Sequence, residues 1–467
     1  MNESAEIQTT GRRQESVLVY RDVRRTLFSM AFPMLAGTFA INAYSLTDMW
    51  FISRLGTLPM AAIGFTFPVI MFLTFIAGGI GNGVMTLVSH SLGRNDHGLA
   101  ARITSYGILM MASTTLTLSI IGYFTVGPVF TWLGADDSTL PLIRKFMGIW
   151  YLGAITMAIP MMGNGILISS GDSKAASRIM MTGPIVNIIL NPILIFGYFG
   201  FPAMGIAGSA TATVIAQLVS VTWLLMLLQR KHRLLDFKNI NLDEFKNLFQ
   251  KIMSFGIPSM LSMVLMPISS AVIIMILSSI GNEAVAAAGV AGRIEMFAFI
   301  IPMSLGMSLT PFISQNFGAG RIDRIKEAMD LSTRFAMIYG IAIAVIFFLS
   351  APLMASAFTS DPKVSEILVS YIRIISFGYG MMEVHRYCGF VLTGLHRPKS
   401  ATMLNTIRVL VLLIPLSYLG LYLGGVKGVF IGRLATDLLA GGIGLIWAYK
   451  ACAAARANAV SLQKSQI

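Results

Sequence analysis

Residues 33–93 recur as residues 258–318, at a constant spacing of 225 and without a gap. Pro33 pairs with Pro258, Gly56 with Gly281, Ala61 and Ala62 with Ala286 and Ala287, and Gly64 with Gly289. The register runs on through Met71/Met296, Phe72/Phe297, Gly81/Gly306 and Ser89/Ser314 to Gly93/Gly318. Apolar composition matches some positions by chance. It does not hold one register across two helices while setting glycine at the same turns. The chain is therefore expected to fold as one unit used twice, and twin bundles in a membrane can rock about a site between them.

The chain is 55% hydrophobic and 12% charged, which excludes a soluble globule. Apolar stretches recur near 26–50, 59–86, 101–126, 141–168, 175–199, 204–228, 250–279, 285–313, 327–351, 364–393, 400–423 and 427–450. Each is long enough to cross about 30 Å of hydrocarbon. The fold class expected is an all-α membrane protein of twelve transmembrane helices in two pseudo-symmetric six-helix lobes. Six is an even number, so both halves enter from one face and form a parallel repeat. The expected divisions are a leader (1–25), a first lobe (26–228), a linker (229–249), a second lobe (250–450) and a tail (451–467). No cleaved signal is expected, because the charged leader lacks a small-residue cleavage site.

A net charge of +13 invites a nucleic-acid reading. Its placement argues against one. Lys and Arg crowd the leader, the loops at 87–102, 169–178, 229–251, 314–326 and 394–399, and the tail. The other side holds only Arg54, Arg144, Lys145, Lys363 and Lys427. That bias predicts two cytoplasmic termini, with membrane lipids as the partner of the basic loops and no nucleic acid. Cys388 and Cys452 provide neither a disulfide framework nor a metal ligand set. The chain is expected to work as a monomer in a bacterial cytoplasmic (inner) membrane.

The linker QRKHRLLDFKNINLDEFKNLFQK is amphipathic from Leu242 to Phe249, so part of it is expected to be helical at the membrane surface. SHSLGRNDHGLAARI (89–103) and SQNFGAGRIDRIKEAM (314–329) read as matching tight turns that lead into new helices, with His90 and His97 as loop residues. Residues 1–20 and 455–467 read as disordered tails.

Asp48 stands out. It lies toward the end of the first span, with Tyr44, Ser45, Phe51 and Ile52 at i±3 and i±4 and no base among them. A carboxylate at mid-helix costs roughly 2.5–3.5 kcal/mol on insertion scales, and less nearer the interface. Such a group persists to hold a proton or Na⁺, or to meet a cationic substrate. Its twin is Ile273. Asn187 and Asn191 align with Leu410 and Ile414, and Thr211 with Leu434, at a spacing of 223. Polar residues missing from the twin are not demanded by the fold, so the first lobe is the expected coupling lobe. Tyr44/Asp48 and Asn187/Asn191 each share a helix face. Together with Thr211 they supply oxygens suited to a hard cation or a proton relay.

Pro33 removes a backbone donor from the carbonyl of Ser29, so a bend or broken turn is expected there, and likewise at Pro184 and Pro192. The remaining charges within spans, Arg293/Glu295, Glu383/Arg386 and Arg433/Asp437, pair each acid with a nearby base, which suggests local neutralisation. Glu295, with Tyr379 and Glu383 on one face, leaves a second-lobe polar site open. The 31 Met and 29 Phe suit a deformable cavity. The run GGIGNG (78–83) lies inside an apolar span and indicates close helix packing. No P-loop, HExxH or GxSxG is present, so neither ATP-driven transport by this chain nor an enzyme activity is indicated.

With these residues the chain resembles the multidrug and toxic compound extrusion (MATE) family over about 26–450. The likeness rests on Pro33…Asp48…Gly56, the loops Ser89–Gly93 and Ser314–Gly318, Asn187-x-x-x-Asn191-Pro192, and Gly205-Ile-Ala-Gly-Ser-Ala-Thr211. The resemblance implies V-shaped lobes that export lipophilic cationic compounds in exchange for H⁺ or Na⁺, without a cofactor. It implies Asp48 as the coupling acid, with Asn187, Asn191 and Thr211 around it, and Pro33 as the bending point. The implied substrate cavity takes Tyr44, Asn164, Met34 and Met161, and the only implied metal is Na⁺ at Asp48. Some relatives carry Asp where this chain has Asn191, so the site has one negative charge fewer. The acid of the seventh span in another branch is absent from 250–279, which favours the DinF-like branch. The alternative is a flippase for a lipid-linked or other amphiphilic precursor. Such a cavity would hold several cations, whereas residues 26–50 have none.

Overall fold

A computed structural model describes residues 17–238 and 240–464. After a helical turn at Val17–Tyr20, the first lobe comprises α1 (Val23–Ser53), α2 (Thr57–Gly93), α3 (His97–Trp132), α4 (Leu140–Ser169), α5 (Ser173–Phe196) and α6 (Ile206–Met226). The second lobe comprises α7 (Leu242–Ser278), α8 (Asn282–Gly318), α9 (Ile322–Phe358) and α10 (Pro362–Gly394). A last apolar stretch, Pro398–Asn458, is continuous by hydrogen bonding yet holds two spans. Gly424 and Gly425 leave helical backbone angles at its centre, and Gly425 has φ +56, a region that favours glycine. The chain reverses there, giving α11 (398–423) and α12 (426–464). All twelve expected spans are present, and no strand occurs among the described residues.

Hydrophobic packing divides by depth. In the half nearer the termini a single core runs across both lobes, with Leu27, Val84 and Ile166 joined to Ile252, Leu309 and Val384. In the other half this core splits. Ala62, Phe130, Phe146 and Trp150 form one cluster in the first lobe, and Ile276, Ala287, Ala351 and Tyr371 another in the second. The lobes thus meet at the terminal face and diverge toward the opposite face, as in a V. Their contacts run mainly through α2 against α7 and α8, and α1 against α8.

The twin Ser-x-x-x-Gly segments make that junction. The Ser314 hydroxyl donates to the Thr86 carbonyl at 2.7 Å. A Cβ on Gly93 would overlap the Gln315 carbonyl, and one on Gly318 would overlap the His90 carbonyl. Each segment therefore lacks a side chain where the other's backbone passes. GGIGNG works similarly, with Gly79 against Gly256 and Gly83 against Ile252 on α7.

Several expectations change. His90 belongs to α2 and His97 opens α4's predecessor α3, so neither is a loop residue. The turn itself is confined to Arg94–Asp96. Residues 17–20 and 455–464 are helical rather than disordered, while 1–16 and 465–467 lie outside the described residues. Residues 242–249 are helical as expected, but they form the first turns of α7, where Glu244 pairs with Arg102 at 2.9 Å and accepts from Tyr106 at 3.1 Å. Neither Pro33 nor Pro184 nor Pro192 breaks its helix. Neighbouring helices can brace a proline-containing turn, and the Ser177 hydroxyl donates to the Pro33 carbonyl.

Gly93→Val inserts three carbons where the Gln315 backbone lies. Thermal unfolding of the purified chain should show a loss of about 1–3 kcal/mol or more, the usual cost of overpacking.

Candidate functional site

Asp48 lies on α1, on the diverging side of the first lobe, and faces α5 and α6. The Asn191 amide donates to its Oδ1 at 2.8 Å, and the Ser209 hydroxyl donates to the same oxygen at 3.0 Å. The same Asn191 amide donates to Asn187 Oδ1 at 2.8 Å. Asn187 in turn donates to Thr213 Oγ1 at 3.0 Å, and Thr213 and the Tyr44 hydroxyl are 3.4 Å apart. One chain of hydrogen bonds thus runs Ser209–Asp48–Asn191–Asn187–Thr213–Tyr44. Both asparagines are buried, and Asp48 is partly so.

Two acceptor atoms are left over. Asn191 Oδ1 is buried without a hydrogen-bond partner, and no described hydrogen bond reaches Asp48 Oδ2. A carboxylate oxygen and an amide oxygen without donors are what a hard cation accepts, and Oδ2 can equally take a proton. The donors already present are all neutral. The acid is therefore oriented without being neutralised by a base.

Helical rotation decides which residues of α6 take part. Ser209 and Thr213 are one turn apart and face Asp48 and Asn187. Thr211 lies two residues from each, on the far side, and its hydroxyl donates to the Ala207 carbonyl at 2.9 Å. Thr211 is thus not brought to the acid. Ser209 and Thr213 were missed, although the i, i+4 rule that joined Tyr44 to Asp48 would have linked them.

The expected cavity residues separate. Met34 is fully buried in the shared core and lines no cavity. Met161 is 40% exposed, and its methyl lies near Gly78 beside that of Met263, where the lobes meet. Asn164 lies on α4 with a buried, unpartnered Oδ1 and has no described hydrogen bond to the Asp48 chain. Tyr44 belongs to that chain.

In the second lobe the charges pair across helices more than along them. Glu295 on α8 takes both oxygens to Arg433 on α12, at 2.8 and 2.9 Å, and accepts from Tyr371 on α10 at 2.9 Å. Arg433 also donates to the Tyr371 hydroxyl. Asp437 pairs with Arg408 at 2.7 Å, and Arg408 sits on a π-helical stretch of α11, Ile407–Leu413. Local neutralisation therefore fails for Glu295 and Asp437. For Glu295 it fails because Arg293 projects from the opposite side of α8, two residues away, and for Asp437 because Arg433 is engaged by Glu295. For Glu383 the nearby base is right: Arg386 Nη1 lies 2.9 Å from it, although neither carboxylate oxygen meets hydrogen-bond geometry. Tyr379 shares the α10 face of Glu383 and lies near Glu295, although its buried hydroxyl meets no hydrogen-bond geometry.

The MatE family model matches residues 33–193 and 258–419, two segments that start 225 residues apart. The chain belongs to the MatE family. The chain is similar to an FAD transporter of Shewanella oneidensis, at 37% identity over 91% of this chain and 94% of the relative. The multidrug export protein MepA of Staphylococcus aureus is 24% identical, over 89% of this chain and 91% of its own. Among solved structures, the MATE transporter VcmN of Vibrio cholerae in its bent form superposes with a TM-score of 0.88 at 27% identity, covering 93% of this chain and 98% of that one. MatE proteins are multi-pass membrane transporters rather than enzymes, and this chain is an efflux transporter of that kind.

Ser209→Ala removes one of the two donors to Asp48, whereas Thr211→Ala removes only a bond to its own helix. Efflux assays should show Ser209→Ala clearly slower and Thr211→Ala near wild type. Arg433→Met leaves Glu295 mostly buried without its base, at a cost of up to about 3–5 kcal/mol. Thermal unfolding should show that loss, and Glu295→Met in the same chain should restore much of it.

Proposed function

We propose that this MatE protein is a secondary antiporter, in which H⁺ or Na⁺ bound at Asp48 is exchanged for outgoing amphiphilic cargo. The observation that carries the reading is the acid itself, which is oriented by Asn191 and Ser209 through Oδ1, with no described hydrogen bond at Oδ2 and with Asn191 Oδ1 also unpartnered. A bound ion neutralises the carboxylate in a setting where burying the bare charge is costly. Ion loss restores that cost, and closing the diverging lobes about the Gly93/Gly318 junction would change the exposure of the site. One charge crossing 100 mV supplies roughly 2.3 kcal/mol, enough for a gradient on the order of 50-fold.

The setting is a bacterial cytoplasmic membrane with both termini inside, as the basic loops favour, and the working unit is a monomer in contact with lipid. The multidrug relatives support the lipophilic cations that the sequence suggests as cargo. A second reading, export of a flavin dinucleotide, has the support of the relative with the higher identity. A flippase has less support, because no relative described above is named as one.

Ethidium efflux from vesicles under an imposed ΔpH or ΔNa⁺ tests the coupling. Asp48→Asn should abolish the gradient-driven component, and wild type should respond to one of the two ions. Undiminished efflux in Asp48→Asn removes the mechanism.

A further inference from the structure

Arg293 has no ion pair or hydrogen bond among the described residues, and it is exposed. It stands 11 residues inside the 37-residue helix α8, within an apolar span where an arginine is costly. Every other basic residue near it in the second lobe has an acid: Arg433 has Glu295, Arg386 has Glu383 and Arg408 has Asp437.

The face from which Arg293 projects is set by helical geometry. Residues seven apart are offset by about 20° on an α-helix, so three such steps stay within about 60° of one line. Counting back from Ser314 by sevens reaches Met307, Ile300 and Arg293. Ser314 bonds the Thr86 carbonyl of α2, and Met307 Sδ lies 4.0 Å from the Thr38 hydroxyl of α1. Arg293 therefore continues the stripe of α8 that faces the first lobe, above the level at which the two lobes part. The opposite face of α8 holds Ala287, Ala291, Ile294 and Ala298 against the second-lobe core. Beside Arg293, a Cβ added to Gly289 or Gly292 would meet nothing within 4 Å. The guanidinium thus opens on the cleft between the lobes.

The repeat sharpens its meaning. Gly289 keeps its twin Gly64, which is equally open, and exposed Phe297 keeps exposed Phe72. Arg293 replaces Pro68. The scaffold of this wall is shared by both halves, and the charge is not. An unpaired guanidinium offers a planar fork of donors that suits a phosphate, and the neighbouring phenylalanines and methionines suit a flat apolar body.

From this we infer that Arg293 binds the anionic group of the transported compound, an organic phosphate with a planar aromatic part. The inference rests on the exporter reading above but not on its coupling ion. Aimed into the cleft from the second lobe, Arg293 stands across from the lobe that holds Asp48, so cargo and coupling ion have separate places.

Equilibrium binding to the purified full-length chain, read by flavin fluorescence, tests it without any gradient. FAD carries a diphosphate, and riboflavin has the same ring without one. Wild type should bind FAD on the order of tenfold or more tightly than riboflavin, the usual scale for a charge-assisted contact to phosphate. Arg293→Gln should abolish that preference and leave riboflavin affinity unchanged, while Arg293→Lys should retain part of it. Equal binding of the two flavins by wild type, no phosphate-dependent binding at all, or an undiminished preference in Arg293→Gln overturns the inference. Failure of coupling shows up separately, as Asp48→Asn vesicles that still export ethidium while FAD binding persists.

Discussion

A charged side chain inside a bilayer must find a partner or reach water, and this molecule distributes its intramembrane charges under that constraint. In the second lobe, arginines of α10, α11 and α12 meet carboxylates from α8, α10 and α12. Two of the three pairs tie helices together, and all three leave little net charge. Asp48 is treated differently. It receives only neutral donors, so its position is fixed while its charge stays available. Arg293 has no partner among the described residues and, on the inference above, faces the space between the lobes.

That space exists because of how the lobes join. Where the two Ser-x-x-x-Gly segments cross, absent side chains let backbones approach closely, and a single core fills both lobes. Beyond the crossing each lobe packs on itself. A junction of small residues at one end and independent cores at the other allows the lobes to tilt without exposing the shared core. The repeat thereby has a mechanical result: the same segment, used twice, provides both sides of the contact.

Much of this was legible in the chain. Twelve apolar stretches, the spacing of 225 and the glycines at matching turns describe two six-helix units before any coordinate is known. Comparing the halves isolated Asp48, Asn187 and Asn191, three residues that the structure joins by hydrogen bonds, because a residue needed by the fold alone should recur in the twin. The same comparison favoured Thr211 over Ser209 and Thr213. Thr213 has a threonine twin in Thr436, so a comparison of the halves does not single it out. Rotation of α6 about its axis, which depends on packing against α5, decided the matter.

Hydropathy, repeat and periodicity by themselves determined the helices, their number and the one acid within the spans of the first lobe, because these depend on local sequence and on the thickness of the bilayer. Only the tertiary structure decided that Glu295 belongs to Arg433 rather than Arg293, that Met34 is core, and that Arg293 is left exposed without an ion pair among the described residues. Each of those outcomes turns on which helix lies alongside which, and at what rotation. Contacts between residues over a hundred positions apart leave no periodic trace along the chain.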